Sequence, residues 1–141
     1  LDAGGIDVQL LGLGRNGHIG FNEPTGSLSS RTWIKILSEQ TLTDNSEVFG
    51  SLEAMPKHAL TMGVGTILDA RRCLLLAFGP AKVRAVEDMI EGPLAAVCPG
   101  SALQQHPRTT VILDENSSAG LRYADHYRWI DKNKFEWQRH K

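Results

Sequence analysis

The unbroken apolar run Cys73, Leu74, Leu75, Leu76, Ala77 and Phe78, closed by Gly79 and Pro80, constrains this chain's fold more than any other feature. A short, continuous apolar run predicts a strand buried on both faces, as in a parallel sheet. Pro80 suits the first turn of a following helix, where its missing N–H would have no partner anyway. Ala81, Val83, Val86, Met89 and Ile90 then share one face, with Lys82, Arg84, Glu87, Asp88 and Glu91 elsewhere. That is the pattern of a helix packing by one side, and Gly92 and Pro93 end it. Residues 6–13 read as another strand, 33–37 as a short extended segment, and 109–113, β-branched at four positions, as a further strand. Residues 56–68 read as a helix, although Gly63 and Gly65 each cost about 1 kcal/mol there relative to alanine. A short helix is predicted over 102–105. Residues 119–137, aromatic and charged, predict a helix packed on the outside or on a partner. Strands alternating with helices predict an α/β fold with right-handed crossovers.

At 141 residues the chain suits a single domain with a real core. Fifteen basic and sixteen acidic residues nearly cancel, which gives no electrostatic reason to expect nucleic acid or an anionic membrane as a partner. No apolar run approaches the roughly 20 residues of a membrane helix. Cys73 and Cys98 lack metal-ligand spacing; a disulfide is open to them, and two buried thiols in a reducing cytoplasm is the preferred reading. The histidines are scattered, and no metal site is expected. The chain opens at Leu1 with no basic leader and runs straight into a core strand, so it is expected to be a piece of a longer protein.

The first strand runs into a loop that spells Gly12, Leu13, Gly14, Arg15, Asn16, Gly17, His18, Ile19, Gly20, Phe21, Asn22, Glu23, Pro24. A histidine, a carboxylate and two amides lie among four glycines, at the place where α/β sheets carry ligand sites. His18 is the side chain best suited to move protons near neutral pH, with an ordinary pKa of about 6.5. Its bland alternative is a structural histidine in a glycine-rich turn, as Asn16 could be a turn residue and Glu23 a solvated loop charge. Lys82 could likewise be an ordinary exposed lysine. For His58 and His106, packing or capping is the default reading. Arg31, in the polar stretch 27–32, could bind a backbone carbonyl or a phosphate.

This loop resembles the active-site signature of glucosamine-6-phosphate deaminases. Matches continue through Ser27 to Thr32, through Pro56, Lys57 and His58 to Ile67, and at Gly79 to Lys82, Glu91 to Pro93 and Ser101 to Pro107. The resemblance covers most of the chain up to about Glu115 and does not extend to the tail. It implies a Rossmann-like parallel sheet with helices on both faces, in which residues 1–141 form one α/β domain. That domain is the C-terminal portion of a larger deaminase domain, with 119–141 as a helical tail.

The implied reaction turns glucosamine 6-phosphate and water into fructose 6-phosphate and ammonia. Its implied class is a hydrolase acting on an amino sugar phosphate, in amino sugar catabolism. His18 matches the ring-opening acid/base, and Asn16 and Glu23 match the residues that orient it, the base-plus-orienter logic of acid/base sites. Many members carry Asp where this chain has Asn16, so His18 should be less basic here. Lys82 matches the phosphate-binding lysine, at a helix start that itself favours anions. An arginine that binds phosphate in other members aligns with Glu47. An Arg-x-Lys effector pair aligns with Trp33, Ile34 and Lys35, which makes that form of allostery doubtful. The aspartate that moves the C2 proton in the family has no match here, so the isolated chain is expected to be inactive. No cofactor is implied; the ligand is a small amino sugar phosphate, and a homo-oligomer is possible. The rival enzyme is a 6-phosphogluconolactonase, whose loop tends to continue Thr-Ala-Ser-Leu-Phe-Pro after the histidine, unlike the run from Ile19 to Pro24 here. The other alternative is a non-catalytic sugar-phosphate-binding fragment.

Overall fold

The computed structural model describes residues 3–138; Leu1, Asp2 and the end of the 119–141 tail lie outside the described residues. Along the chain run β1 (Val8–Gly12), β2 (Trp33–Ile36), α1 (Glu39–Asn45), β3 (His58–Thr61), α2 (Val64–Leu68), β4 (Arg72–Ala77), α3 (Val83–Ile90), β5 (Thr109–Leu113) and α4 (Ala124–Asn133). Short 3-10 turns occupy Ser46–Phe49, Pro80–Lys82, Pro99–Gln105 and Glu136–Gln138. Strands β1, β4 and β5 form a parallel sheet in the order β1-β4-β5, and β2 and β3 form a separate antiparallel pair. This is the α/β parallel-sheet class expected.

The core lies on one side of the parallel sheet. Leu11, Cys73, Leu75 and Ala77 cluster with Ile67 of α2 and with Ala85, Val86 and Met89 of α3. The expectation of a strand buried on both faces is corrected here, because β4 alternates between fully buried Cys73, Leu75 and Ala77 and half-buried Leu74 and Leu76. Register explains it. Leu74 pairs with Leu10 and Leu76 with Ile112, so their side chains share one face with those neighbours. Leu10 is 60% and Ile112 44% exposed.

The expected helix over 56–68 is also corrected. Residues His58–Thr61 form β3, registered against β2 from Ile36↔His58 to Trp33↔Thr61, and only Val64–Leu68 is helical. Strand pairing supplies hydrogen bonds that overrode the apolar spacing. Gly63 precedes the helix, and a Cβ there would stand 2.2 Å from the Ser30 carbonyl oxygen. The Ser30 hydroxyl accepts the Val64 N–H at 3.0 Å and so caps α2 from another segment. The segment around 102–105 is a 3-10 turn, Pro99–Gln105, rather than an α-helix. Both cysteines are buried free thiols. Among the described residues, no helix is long and apolar enough to cross a membrane.

Candidate active site

At the end of β1 the chain enters the glycine-rich loop, and His18 folds back over Gly14. A Cβ on Gly14 would lie 2.3 Å from the imidazole ring, so only glycine leaves room for the histidine. Gly17 has φ +83°, and its carbonyl accepts the Gly100 N–H at 2.9 Å, tying the loop to the distant 3-10 turn. Asn22, 2% exposed, holds the other end. Its amide nitrogen donates to the Ile19 and Met62 carbonyls at 2.9 and 2.8 Å, and its oxygen accepts the Trp33 indole N–H at 3.2 Å.

Within this frame Asn16, His18 and Glu23 come together. Asn16 Nδ2 donates to Glu23 Oε2 at 2.8 Å, and Asn16 Oδ1 lies 2.8 Å from His18 Nδ1. A carboxylate can only accept, so it fixes which end of the amide faces the histidine. The amide oxygen in turn can only accept, so Nδ1 carries the proton. The neutral ring is therefore the tautomer that leaves Nε2 as a free base. The carboxylate itself reaches His18 Nδ1 at 3.6 Å.

Glu23 is 5% exposed and tied down at its other oxygen. Oε1 accepts the Thr41 hydroxyl at 2.6 Å and the Ser38 N–H at 3.4 Å. Ser38 is also the N-cap of α1, its hydroxyl accepting the Thr41 N–H at 3.2 Å. Thr41 escaped the sequence reading because a threonine inside a short helix carries no signal of a partner eighteen residues away. Burial pushes the Glu23 carboxyl up, but the hydrogen bonds from Thr41 and Asn16, the His18 charge and the Ser38 amide together hold it below its ordinary value.

For His18, burial dominates and lowers its pKa; Glu23 opposes that, Lys82 adds to it, and Asp44 opposes it. The ring is thus held neutral at neutral pH, the state a general base needs. His18 opens onto a cleft of about 390 Å³ whose lining includes Gly12, Arg15, Phe21, Asp44 and Lys82. Lys82 thus lies where the sequence placed it, at the cleft with His18. It ends the Pro80–Lys82 turn that leads into α3. The Gly79 N–H at this start is already taken by the Asp114 carboxylate, with both oxygens at 3.1 Å. The side-chain cations, rather than that amide, therefore carry the cleft's attraction for an anion.

Of the remaining polar candidates, His106, Arg31 and Lys35 have structural partners. His106 is buried, with Nε2 2.8 Å from the Ala70 carbonyl and Nδ1 accepting the Arg108 N–H at 3.1 Å. Arg31 pairs with Asp69 on the surface. Glu47 is exposed in the 3-10 turn after α1 and does not line the cleft. Lys35 stacks over the Trp33 ring at 4.7 Å.

The sequence is 58% identical over 133 residues to the glucosamine-6-phosphate deaminase of Corynebacterium aurimucosum, covering 94% of this chain and 52% of that protein. It is 59% identical over 128 residues to that of Hahella chejuensis, covering 91% and 49%. The solved structure of a monomeric glucosamine-6-phosphate deaminase matches with a TM-score of 0.82 at 47% identity, over 84% of this chain and 49% of that one. The 6-phosphogluconolactonase of Trypanosoma cruzi matches with a TM-score of 0.63 at 24% identity, a likeness of fold alone. No family model matches the chain.

Fold and site together define an α/β chain of the kind these deaminases and lactonases share, with a histidine held by an amide and a carboxylate in the loop after a parallel strand. Within that class, the chain belongs to the glucosamine-6-phosphate deaminase family. It spans about half the length of the curated relatives it matches. The hydrolase class drawn from the resemblance is corrected: the relatives are deaminases of the isomerase type.

Proposed function

We propose that this chain carries the ring-opening and phosphate-binding portion of a site that converts glucosamine 6-phosphate to fructose 6-phosphate and ammonia. The observation that carries it is the relay from Glu23 through Asn16 to His18, which leaves Nε2 as a base on a cleft shared with Lys82. In this reading His18 Nε2 takes the proton from O1 of the closed sugar. The C1–O5 bond breaks as C1=O1 forms, and the imidazolium returns its proton to O5. Asn16 accepts from Nδ1–H in both protonation states, so the ring does not turn between the two transfers. Glu23, 3.6 Å away, stabilises the transient imidazolium by charge. Lys82 anchors the phosphate, which makes the ring opening effectively unimolecular.

The next step moves a proton from C2 to C1 and one from the amine nitrogen to O1, giving a ketose imine that water converts to the ketone and ammonia. Its base belongs to the part of the relatives that this chain does not span. The ligand is a small amino sugar phosphate, and the chemistry requires acid/base groups rather than a metal or cofactor. The same reading assigns the protein to amino sugar metabolism in the cytoplasm, in keeping with two buried free thiols. The homo-oligomer that the resemblance leaves open is tested below at the exposed tail.

A chimaera joining this chain to the N-terminal portion of the Corynebacterium aurimucosum relative tests it. Ammonia release from glucosamine 6-phosphate without hydrolysis of 6-phosphogluconolactone is the expected result, with no turnover by the 141-residue chain alone. A folded chimaera with the opposite specificity would overturn the proposal. One that binds sugar phosphate without turnover would favour a binding role instead.

A further inference from the structure

Arg15 sits between Gly14 and Asn16, on the loop that carries His18, and its guanidinium has no role in the relay. It lies 3.2 Å from Asp44 Oδ1, in the last turn of α1. That same oxygen accepts the Gln40 amide at 2.8 Å, so Asp44 is shared between two donors. Arg15, Asp44 and Lys82 line one cleft with His18. Burial lowers the Lys82 pKa first; Asp44 opposes that, and the Arg15 charge adds to it. Arg15 and Lys82 therefore face one cleft, with Asp44 as the carboxylate that lines it beside them. The cleft's other carboxylate neighbour, Glu23, has both oxygens engaged on the inner side of the relay. Such an arrangement stores positive charge that a dianionic ligand would neutralise.

We propose that Arg15 is the second cation of the phosphate subsite, binding the substrate's 6-phosphate together with Lys82, with Asp44 holding the guanidinium ready while the cleft is empty. The inference rests on the function proposed above and names the residue that supplies the charge Glu47 does not. Sugar geometry agrees with it. The phosphate-bearing C6 is bonded to C5, which also bears the ring oxygen, O5, that His18 reprotonates. A cation three residues before His18 on the same loop is thus well placed for the group next to the reacting oxygen. Arginine suits the task because its planar fork grips a phosphate through two parallel hydrogen bonds, while Lys82 acts as a point charge.

The test titrates the 141-residue chain with inorganic phosphate, following the His18 ring resonances by NMR. Arg15→Gln and Lys82→Gln should each weaken phosphate binding by about tenfold, the worth of one charge-assisted hydrogen bond. Arg15→Lys should recover part of the loss, and it also serves if the glutamine variant does not fold. In the chimaera, Arg15→Gln should raise KM for glucosamine 6-phosphate by a similar factor, with a smaller loss in kcat. Unchanged phosphate affinity and unchanged KM in the Arg15 variants, with Lys82→Gln impaired, would overturn the inference and leave the functional reading intact. The same holds if the unaltered chain shows no phosphate-dependent shift and KM does not respond to Arg15. Phosphate binding that depends on Arg15, in a chimaera without turnover, would overturn the functional reading and leave the subsite.

Discussion

Two of the clefts among the described residues have nearly equal volume and differ in how their side chains are held. The first, about 390 Å³, lies over the loop of His18. The second, about 370 Å³, lies under α4 and is lined by Ile90, Val111, Leu113, Leu121, Ala124 and Tyr127 among others. Size does not separate them; the partners of their side chains do. In the first, Asn16 and His18 hold each other within the loop and Glu23 is tied to Thr41 and Ser38 of another segment, so the orientation of the relay is imposed by the fold. Around the second, aromatic and charged groups are plentiful but few are buried. Helix α4 has no buried residue and Trp129 is 63% exposed, although the segment before the helix is clamped by the Glu91 carboxylate on the Arg122 and Tyr123 amides. A reactive side chain becomes a site when its neighbours decide which way it points and which proton it carries.

The sharpest way to break this contrast is His18→Gln in the chimaera. Loss of the base should lower kcat by about 10²- to 10⁴-fold with unfolding free energy changed by no more than about 1 kcal/mol. Near-normal ammonia release would remove His18 from the mechanism. Gly14→Ala comes next, because the added methyl claims the space of the imidazole. A displaced base should cost on the order of 10²-fold in kcat, read against a circular dichroism spectrum that stays native.

The pH profile probes the same relay. Because burial lowers the His18 pKa, the acid limb of kcat/KM should have its midpoint below the ordinary value of about 6.5. A midpoint above it would mean that the carboxylates, rather than burial, govern the ring.

Thr41→Val tests the less visible half of the relay. Losing the 2.6 Å hydrogen bond to Glu23 should cost about 1–3 kcal/mol in denaturant unfolding at neutral pH. The folded Glu23 pKa lies below its unfolded value, so the stability it contributes is present above about pH 4.3 and is lost as pH falls through the folded pKa. Without Thr41 the folded value rises toward the unfolded one. The acid-side loss should therefore shrink and shift to higher pH; an unchanged profile would show that Thr41 does not tune the carboxylate. The smallest effect is expected in the tail. Trp129→Ser should change stability by less than about 0.5 kcal/mol and leave ammonia release unaltered. A large fall in Tm, with dissociation seen by light scattering, would instead make α4 a subunit interface.

Much of the fold was legible in local pattern. The continuous apolar run became β4, the β-branched stretch became β5 at Thr109–Leu113, and Gly79 and Pro80 opened the turn into α3. Residues 58–61 were not legible as a strand, since their pairing with β2 is a contact over more than twenty residues that apolar spacing cannot report. The exposed face of β4 was hidden for a similar reason: an apolar run states preference for burial and not whether a second layer is present. At the site, the motif named His18, Asn16, Glu23 and Lys82, while Thr41, Ser38 and the Asp114 clamp on Gly79 had no local signature.

By itself the sequence determined which groups are available: a base, an amide, a carboxylate and a lysine, with glycines where side chains could not fit. Periodicity and backbone sterics act over a few residues, so those features survive in one dimension. Only the tertiary structure decided how the groups are wired. It set the amide's direction, the histidine's tautomer and the meeting of Arg15 with Lys82 and Asp44. The first two depend on how the loop folds back on itself, with Ser38 and Thr41 holding Glu23, and the third on segments far apart in the chain; hydrogen bonding and Coulomb forces act on distances in space rather than on sequence order.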